Sequence, residues 1–383
     1  MIRVLIADDS AFMRKVLSDL LGSQADFQVV GTAINGKDTV EKVKRLKPDL
    51  LTLDVLMPVM SGLDALEIIM DECPLPVVMI SSMTQEGADA TIKALALGAV
   101  DFVGKAGGPI SKIDTISEEI LSKCRGAATA HVSKTPTSKA TPITFVQPKQ
   151  PDPPVMRRIE VRRKTGYVPG KKPEIVRIPA ANLPKPSYAP SVSGKKLVAI
   201  GTSTGGPQAL QAVITRLPAN LPCGVVIVQH MPAGFTKSLA ERLDSISEIA
   251  VKEAEHEEII RAGQVYIAPG NYHLRVSGVA GGGKKIVISQ EPPVGNHRPA
   301  VNVMFDSVAQ FGSDLVSVIM TGMGADGCEG MRKIKANGGY SIAQDEKSCV
   351  VYGMPKAVVD AGLADEVRPL NKIAEAIVEA VKR

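Results

Sequence analysis

The sequence predicts two α/β domains, each built on a parallel sheet, joined by a long basic linker. Three observations lead there. Short apolar runs alternate with helix-period segments at both ends of the chain, the pattern of strands buried on both faces. The residues that end those runs are chemically distinctive: an Asp pair, single Asp, Ser and Lys residues, and glycine-rich turns. Between the two regions, residues 126–194 break the pattern, holding 12 of the 27 prolines and 12 Lys or Arg against 3 Asp or Glu. A length of 383 residues suits two domains of about 100–200 residues each.

Composition narrows the class. Hydrophobic residues make up 44% and charged residues 22%, which excludes collagen-like, mucin-like and wholly disordered chains. No run of 18 apolar residues predicts a membrane span. Asp8 and Asp9 stand where a signal peptide needs an apolar core. The cysteines, at positions 73, 124, 223, 328 and 349, are odd in number and never spaced C-x-x-C. That fits a reducing, cytoplasmic setting without a disulfide framework or zinc site. The net charge of +5 is uneven: −5 in residues 1–125, +9 in 126–194 and +1 in 195–383. Neither domain is basic, so a nucleic-acid reading rests on the linker alone. The linker itself reads as disordered and extended, because it has too little apolar surface to offset ordering entropy.

In residues 1–125, strands are expected at 4–7, 29–33, 50–53, 76–80 and 100–103. Helices are expected near 11–21, 37–46, 63–71, 88–97 and 113–123. Ligands of such sheets bind beyond the carboxyl ends of the strands. There the sequence puts Asp8 and Asp9, then Asp54, Ser81 and Lys105. Crowded carboxylates repel one another, and a hard cation such as Mg²⁺ relieves this. Asp54 is then a nucleophile towards a phosphoryl donor, with Lys105 and Mg²⁺ neutralising the transferred group and Ser81 bonding the product. A single strand-end Asp is more often a helix cap; the joint pattern is what argues against that.

These residues, with Met57-Pro58, Gly62, Ser81-Ser82 and the 102–105 segment FVGK, resemble a two-component receiver domain. The resemblance implies that Asp54 accepts phosphate from a histidine kinase. It also implies that Asp8, Asp9, Asp54 and the Leu56 carbonyl hold Mg²⁺, and that Ser81 and Phe102 couple phosphorylation to the opposite surface. Ala106 stands where receivers usually carry proline. A non-proline cis bond costs about 2.5–4 kcal/mol, so a trans or relaxed loop is expected after Lys105.

Residues 195–383 show strong strands at 195–200, 224–228 and 315–320, with weaker ones at 265–267, 286–289 and 341–344. A helix is expected over 208–216, and another starts within 321–327. The turns after the strong strands contain Ser203, His230 and Asp326. A serine hydroxyl needs a base, an imidazole supplies one, and a carboxylate fixes its tautomer. Gly201-x-Ser203-x-Gly205 fits a strand-to-helix turn that exposes a nucleophile, and amides at such turns can form an oxyanion hole. The chain order Ser, His, Asp disfavours the α/β-hydrolase superfamily, whose acid precedes its histidine. Other readings stay open at this level. A glycine-rich turn also binds phosphate. Asp326 alone is a default helix cap. His131, His256, His273 and His297 compete for the base, His297 in Asn-His-Arg-Pro as a substrate-side group.

The segments 200–207, 229–235, YIAPGN (266–271), NHRP (296–299), TGMGADG (321–327) and AQDEKSCVVYGMP (343–355) resemble the catalytic domain of the chemotaxis receptor methylesterases, the CheB family. The resemblance implies a triad of Ser203, His230 and Asp326, with Thr204 and Met323 beside the active site and near the oxyanion. It implies hydrolysis of glutamate methyl esters on transmembrane chemoreceptors, and deamidation of glutamines, without a cofactor for hydrolysis. With the receiver in front, it implies a phosphorylation-controlled enzyme of sensory adaptation, in which the receiver packs over the Ser203 cleft until phosphorylated. The long linker argues for weaker inhibition than a short one gives. The competing readings are a response regulator whose second half binds DNA or a nucleotide.

Overall fold

The computed structural model describes residues 1–105, 113–130 and 196–383. The first domain has strands β1 (Ile2–Ala7), β2 (Phe27–Ala33), β3 (Leu50–Asp54), β4 (Val77–Ser82) and β5 (Asp101–Lys105). They alternate with helices α1 (Ala11–Gly22), α2 (Gly36–Leu46), α3 (Gly62–Glu72), α4 (Gln85–Leu97) and α5 (Ile113–Ala128). The sheet order is β2-β1-β3-β4-β5, and every pairing is parallel. The central strands are apolar on both faces because helices cover both. Leu5, Leu51, Leu53, Val77 and Met79 face one layer; Val4, Ile6, Leu50, Val78 and Ile80 face the other. Ser10, Asn35, Ser61 and Thr84 each accept a first-turn backbone N–H and so cap α1 to α4, worth about 1 kcal/mol apiece. Helix α5 runs to Ala128, past the expected start of the linker at residue 126. Residues 131–194 of the expected linker, His131 among them, and Ala106 lie outside the described residues.

The second domain has strands β6 (Leu197–Thr202), β7 (Gly224–Gln229), β8 (Ala250–Glu253), β9 (Gln264–Ile267), β10 (His273–Gly278), β11 (Lys284–Ser289), β12 (Leu315–Ile319), β13 (Tyr340–Gln344) and β14 (Glu366–Arg368). Its α-helices are α6 (Gly206–Ile214), α7 (Phe235–Ile246), α8 (Val301–Val308), α9 (Cys328–Ala336), α10 (Met354–Asp360) and α11 (Leu370–Ala380). Seven strands form a parallel sheet in the order β14-β13-β12-β6-β7-β9-β8. The expected strand at 286–289 belongs instead to an antiparallel hairpin of β10 and β11. From β6 the chain builds outward to β7 and β9; after α8 it returns to β12 on the other side. The strand order therefore reverses between β6 and β12, and a crevice opens at such a switch point.

The domains pack together. α4 lies along α7 and against α6. The Phe102 ring of β5 stacks on Phe235 of α7, centroids 4.5 Å apart and planes 20° from parallel. One buried apolar cluster continues from Leu95 and Phe102 into Leu210, Phe235 and Leu239.

Candidate active site and phosphoacceptor pocket

Ser203, His230 and Asp326 follow β6, β7 and β12, the three strands beside the switch point. His230 Nδ1 lies 3.1 Å from Ser203 Oγ, and its Nε2 lies 2.8 Å from Asp326 Oδ2. An ionised carboxylate only accepts, so Nε2 carries the proton and the Nδ1 lone pair faces the serine. Both side chains are nearly enclosed, 7% and 10% exposed. Asp326 is held as an anion. Burial lifts its carboxyl, but the hydrogen bond and charge of His230 and the amides of Asn302 and Val301 outweigh that and keep it below the usual range. Those amides open α8: Val301 N–H donates to Asp326 Oδ2 at 2.6 Å and Asn302 N–H to Oδ1 at 2.9 Å. The residue preceding α8 is Ala300, which offers no side-chain cap. Asp326 is thus a helix cap as well as the partner of His230, and the helix it caps is not the α9 that follows it. The positive end of α8 adds to its anionic state.

The serine turn is tightly specified. Gln229, 3% exposed, donates through Nε2 to the Ser203 carbonyl at 2.9 Å and the His230 carbonyl at 3.3 Å. Its Oε1 accepts from Thr202 Oγ1 at 2.5 Å. One side chain thereby ties the β6 turn to the β7 turn. Gly206 makes room for it: a Cβ there lies 1.9 Å from Gln229 Oε1. Gly205 has φ 75°, the left-handed region that glycine adopts without steric cost. The Ser203 N–H bonds the Thr321 carbonyl at 3.0 Å, and Thr321 Oγ1 donates to the Thr204 carbonyl at 2.9 Å. Sequence reasoning passed over Gln229; a glutamine ending an otherwise apolar strand was the available signal.

Of the other histidines, His256 is exposed and accepts from Ile288 N–H. His273 is buried, bonded to the Ala300 amide and the Pro292 carbonyl. His297 lies against His230 itself, ring centroids 3.8 Å apart.

The first domain reaches the serine turn. Thr204 Oγ1 donates to Asp101 Oδ2 at 2.5 Å, and Gly205 N–H donates to the Val100 carbonyl at 3.2 Å. Gln208 Nε2 donates to the carbonyls of Leu95 and Ala99 at 2.8 and 3.0 Å. Met323 meets α5: its Sδ lies 4.0 Å from Ser122 Oγ, and a Cβ on Gly126 would come within 3.0 Å of it. Asp101 is buried beside Lys123, whose Nζ lies 3.4 Å from it and bonds the Phe102 carbonyl at 2.6 Å.

At the other end of the first domain's sheet, ligand oxygens of Asp8, Asp9 and Asp54 lie within 4.8 Å of one another. Lys105 Nζ is 2.8 Å from Asp54 Oδ2 and 3.0 Å from Asp8 Oδ2. Burial, the largest influence, lifts the Asp54 carboxyl above its usual range despite Lys105. On Lys105, Asp54 and Asp8 overcome the burial that opposes its charge and hold the ammonium above its usual range. Three clustered hard oxygen donors, two of them paired with Lys105, suit Mg²⁺. The Leu56 amide lies 3.4 Å from Asp54 Oδ1, which brings its backbone to the same pocket. Ser81 Oγ donates to the Gly87 carbonyl of α4 at 3.0 Å, so its hydroxyl is turned towards α4.

Comparison with known proteins agrees with both halves. The CheB methylesterase family matches residues 198–377, and the response regulator receiver domain matches residues 4–116. A protein-glutamate methylesterase/protein-glutamine glutaminase of Symbiobacterium thermophilum is 48% identical over 382 residues, covering 99% of this chain and 97% of its own. One of Halalkalibacterium halodurans is 45% identical over 384 residues, covering 100% and 99%. The crystal structure of the Thermotoga maritima CheB methylesterase catalytic domain is 50% identical, covers 49% of this chain and 99% of that one, and aligns with a TM-score of 0.48.

Proposed function

The chain belongs to the protein-glutamate methylesterase/protein-glutamine glutaminase family, and from that premise we propose that Ser203, His230 and Asp326 are its catalytic triad. The reaction hydrolyses glutamate methyl esters to glutamate and methanol, and glutamines to glutamate and ammonia. Ser203 Oγ attacks the side-chain carbonyl as His230 Nδ1 takes its proton. Asp326 stabilises the imidazolium that forms. His230 then gives the proton to the departing methoxide or amine. Water, deprotonated by His230, releases glutamate from the acyl-enzyme on Ser203. Backbone amides of the Thr204 and Met323 turns are suited to the oxyanion. The observation that carries this reading is the continuous relay, 3.1 Å from Ser203 to His230 and 2.8 Å on to Asp326. It is tested by a fluorophosphonate probe: covalent labelling of Ser203, lost in His230→Ala, is expected, and labelling unaffected by His230→Ala overturns it.

Control lies with the receiver. Asp54 is the phosphoacceptor, served by a chemotaxis histidine kinase, and Asp8, Asp9, Asp54 and the Leu56 carbonyl would hold Mg²⁺, which would supply charge neutralisation for the transferred phosphoryl group. Lys105 adds positive charge at the same place. Ser81 and Phe102 carry the change towards the α4–β5–α5 face. In the unphosphorylated state that face covers the serine turn, engages Thr204, Gly205 and Met323, and keeps receptor helices out. Phosphorylation favours a receiver conformation that packs there less well. The first domain, through the end of α5 at Ala128, is then the regulatory domain, and the second, from β6 onward, the catalytic domain. No helix among the described residues is long and apolar enough to cross a membrane. The substrates are methyl-accepting chemoreceptors, met from the cytoplasm, and DNA is not a partner.

A further inference from the structure

The imidazole of His297 lies flat on that of His230, centroids 3.8 Å apart and planes 13° from parallel. The proton relay makes no use of it, yet the chain is built to put it there. Val294 and His297 exchange both backbone hydrogen bonds, each 3.1 Å. The two residues between them, Gly295 and Asn296, have φ of 59° and 66°, the signature of a type I′ hairpin turn. Arg298 anchors the far side. Its Nη2 donates to Asn271 Oδ1 at 2.6 Å and its Nη1 to the carbonyls of Glu291 and Gln290 at 3.1 and 3.3 Å. Asn271, also left-handed at φ 68°, returns its N–H to the Arg298 carbonyl at 3.1 Å. Backbone conformations of this kind persist where the surroundings over-determine them.

The charges that act on His297 are those of His230, Asp326 and, from the receiver, Lys123. Burial first, then His230 and Lys123, outweigh Asp326 and hold the His297 imidazole down at about 4. Near neutral pH its ring is therefore neutral. A neutral aromatic face packs on His230 both as imidazole and as imidazolium, and does not repel the charged form.

We propose that His297 is a positioning residue for the hydrolysis, a plate that fixes the plane of the His230 ring. The hydrogen bonds at Nδ1 and Nε2 restrain rotation of the His230 ring about its Cβ–Cγ bond only softly, because their strength changes little over small angles. The stack removes that freedom and excludes water from one face. His297 acts through its ring face and not its nitrogens. This rests on the triad reading above.

The test uses the full chain, phosphorylated by a small phosphodonor, with methanol release from methylated receptor membranes resolved into kcat and KM. His297→Ala is expected to lower kcat about 10- to 100-fold with KM within twofold, the loss typical of a catalytic group displaced by about 1 Å. His297→Phe, which keeps a flat ring and no nitrogens, is expected to retain at least a third of the wild-type kcat. A His297→Ala kcat within twofold of wild type overturns the proposal, as does a raised KM with kcat unchanged. His297→Phe as slow as His297→Ala overturns it too, even if His297→Ala folds poorly. Ser203→Ala run alongside separates the two readings: activity surviving there sinks the triad, whereas an inactive Ser203→Ala beside a fully active His297→Ala sinks only the role of His297.

Discussion

Gln208 offers a way to loosen the receiver from the catalytic domain without touching the chemistry. It lies on α6, one turn beyond the serine loop, and its Nε2 donates to the carbonyls of Leu95 and Ala99 at the end of α4. In the undocked state water satisfies those carbonyls, so each bond contributes a net of about 0.5–1.5 kcal/mol to docking. Gln208→Ala therefore weakens docking by about 1–3 kcal/mol, which shifts the ratio of covered to open enzyme about 5- to 150-fold. If covering the serine turn is what restrains the enzyme, basal methanol release without phosphodonor rises by up to that factor. The rate after phosphorylation bounds the rise and itself stays near wild type. The assay is methanol release from methylated receptor membranes, measured with and without a small phosphodonor. A basal rate within twofold of wild type, with a normal phosphorylated rate, would refute the inhibitory role of this interface.

Other consequences follow from the same contacts. Asp326→Ala removes both the partner of His230 and the two acceptors at the start of α8. It should lower kcat about 10⁴-fold and also reduce unfolding stability by about 0.5–2 kcal/mol, read by urea titration. Because the Asp326 carboxyl is held below its usual range in the fold, its contribution is fully present above the unfolded value near 4 and is lost as pH falls through the folded one. Urea midpoints from pH 6 to pH 3 should therefore fall more for wild type than for Asp326→Asn; equal falls contradict the assignment. Asp54→Asn should leave basal turnover in place and abolish its stimulation by phosphodonor, checked in the methanol assay.

Much of this architecture can be read from residue patterns, and the omissions have physical reasons. The central strands are legible because helices on both sides demand continuous apolar runs, as in 50–53 and 315–319. Strands β8 and β14 are short edge strands, and β14 keeps two of its three residues exposed, so neither carries such a run. The start of α8 has no local signal because its cap comes from Asp326, a residue 25 positions further on. The same remoteness hides that Asp326 caps α8 while it also bonds His230, where the sequence offers cap and partner as alternatives. That Ser203, His230 and Asp326 come together is legible because each lies in the turn after a strong strand at the switch point. Gln229 was not, since its work consists of bonds to two backbone carbonyls on neighbouring turns. His297 was visible as a chemical group, but its placement on His230 depends on a two-residue turn and an arginine clamp whose partners, Asn271 and Glu291, come from separate loops.

Hydrolysis by this chain depends most directly on the Ser203 hydroxyl. Methanol release from methylated receptor membranes, measured with the phosphorylated full chain and with its Ser203→Ala variant, tests it in one comparison. Loss of release to the uncatalysed background, with folding intact by circular dichroism, is the predicted result. Release by Ser203→Ala at the wild-type rate would contradict the claim that this hydroxyl is the nucleophile.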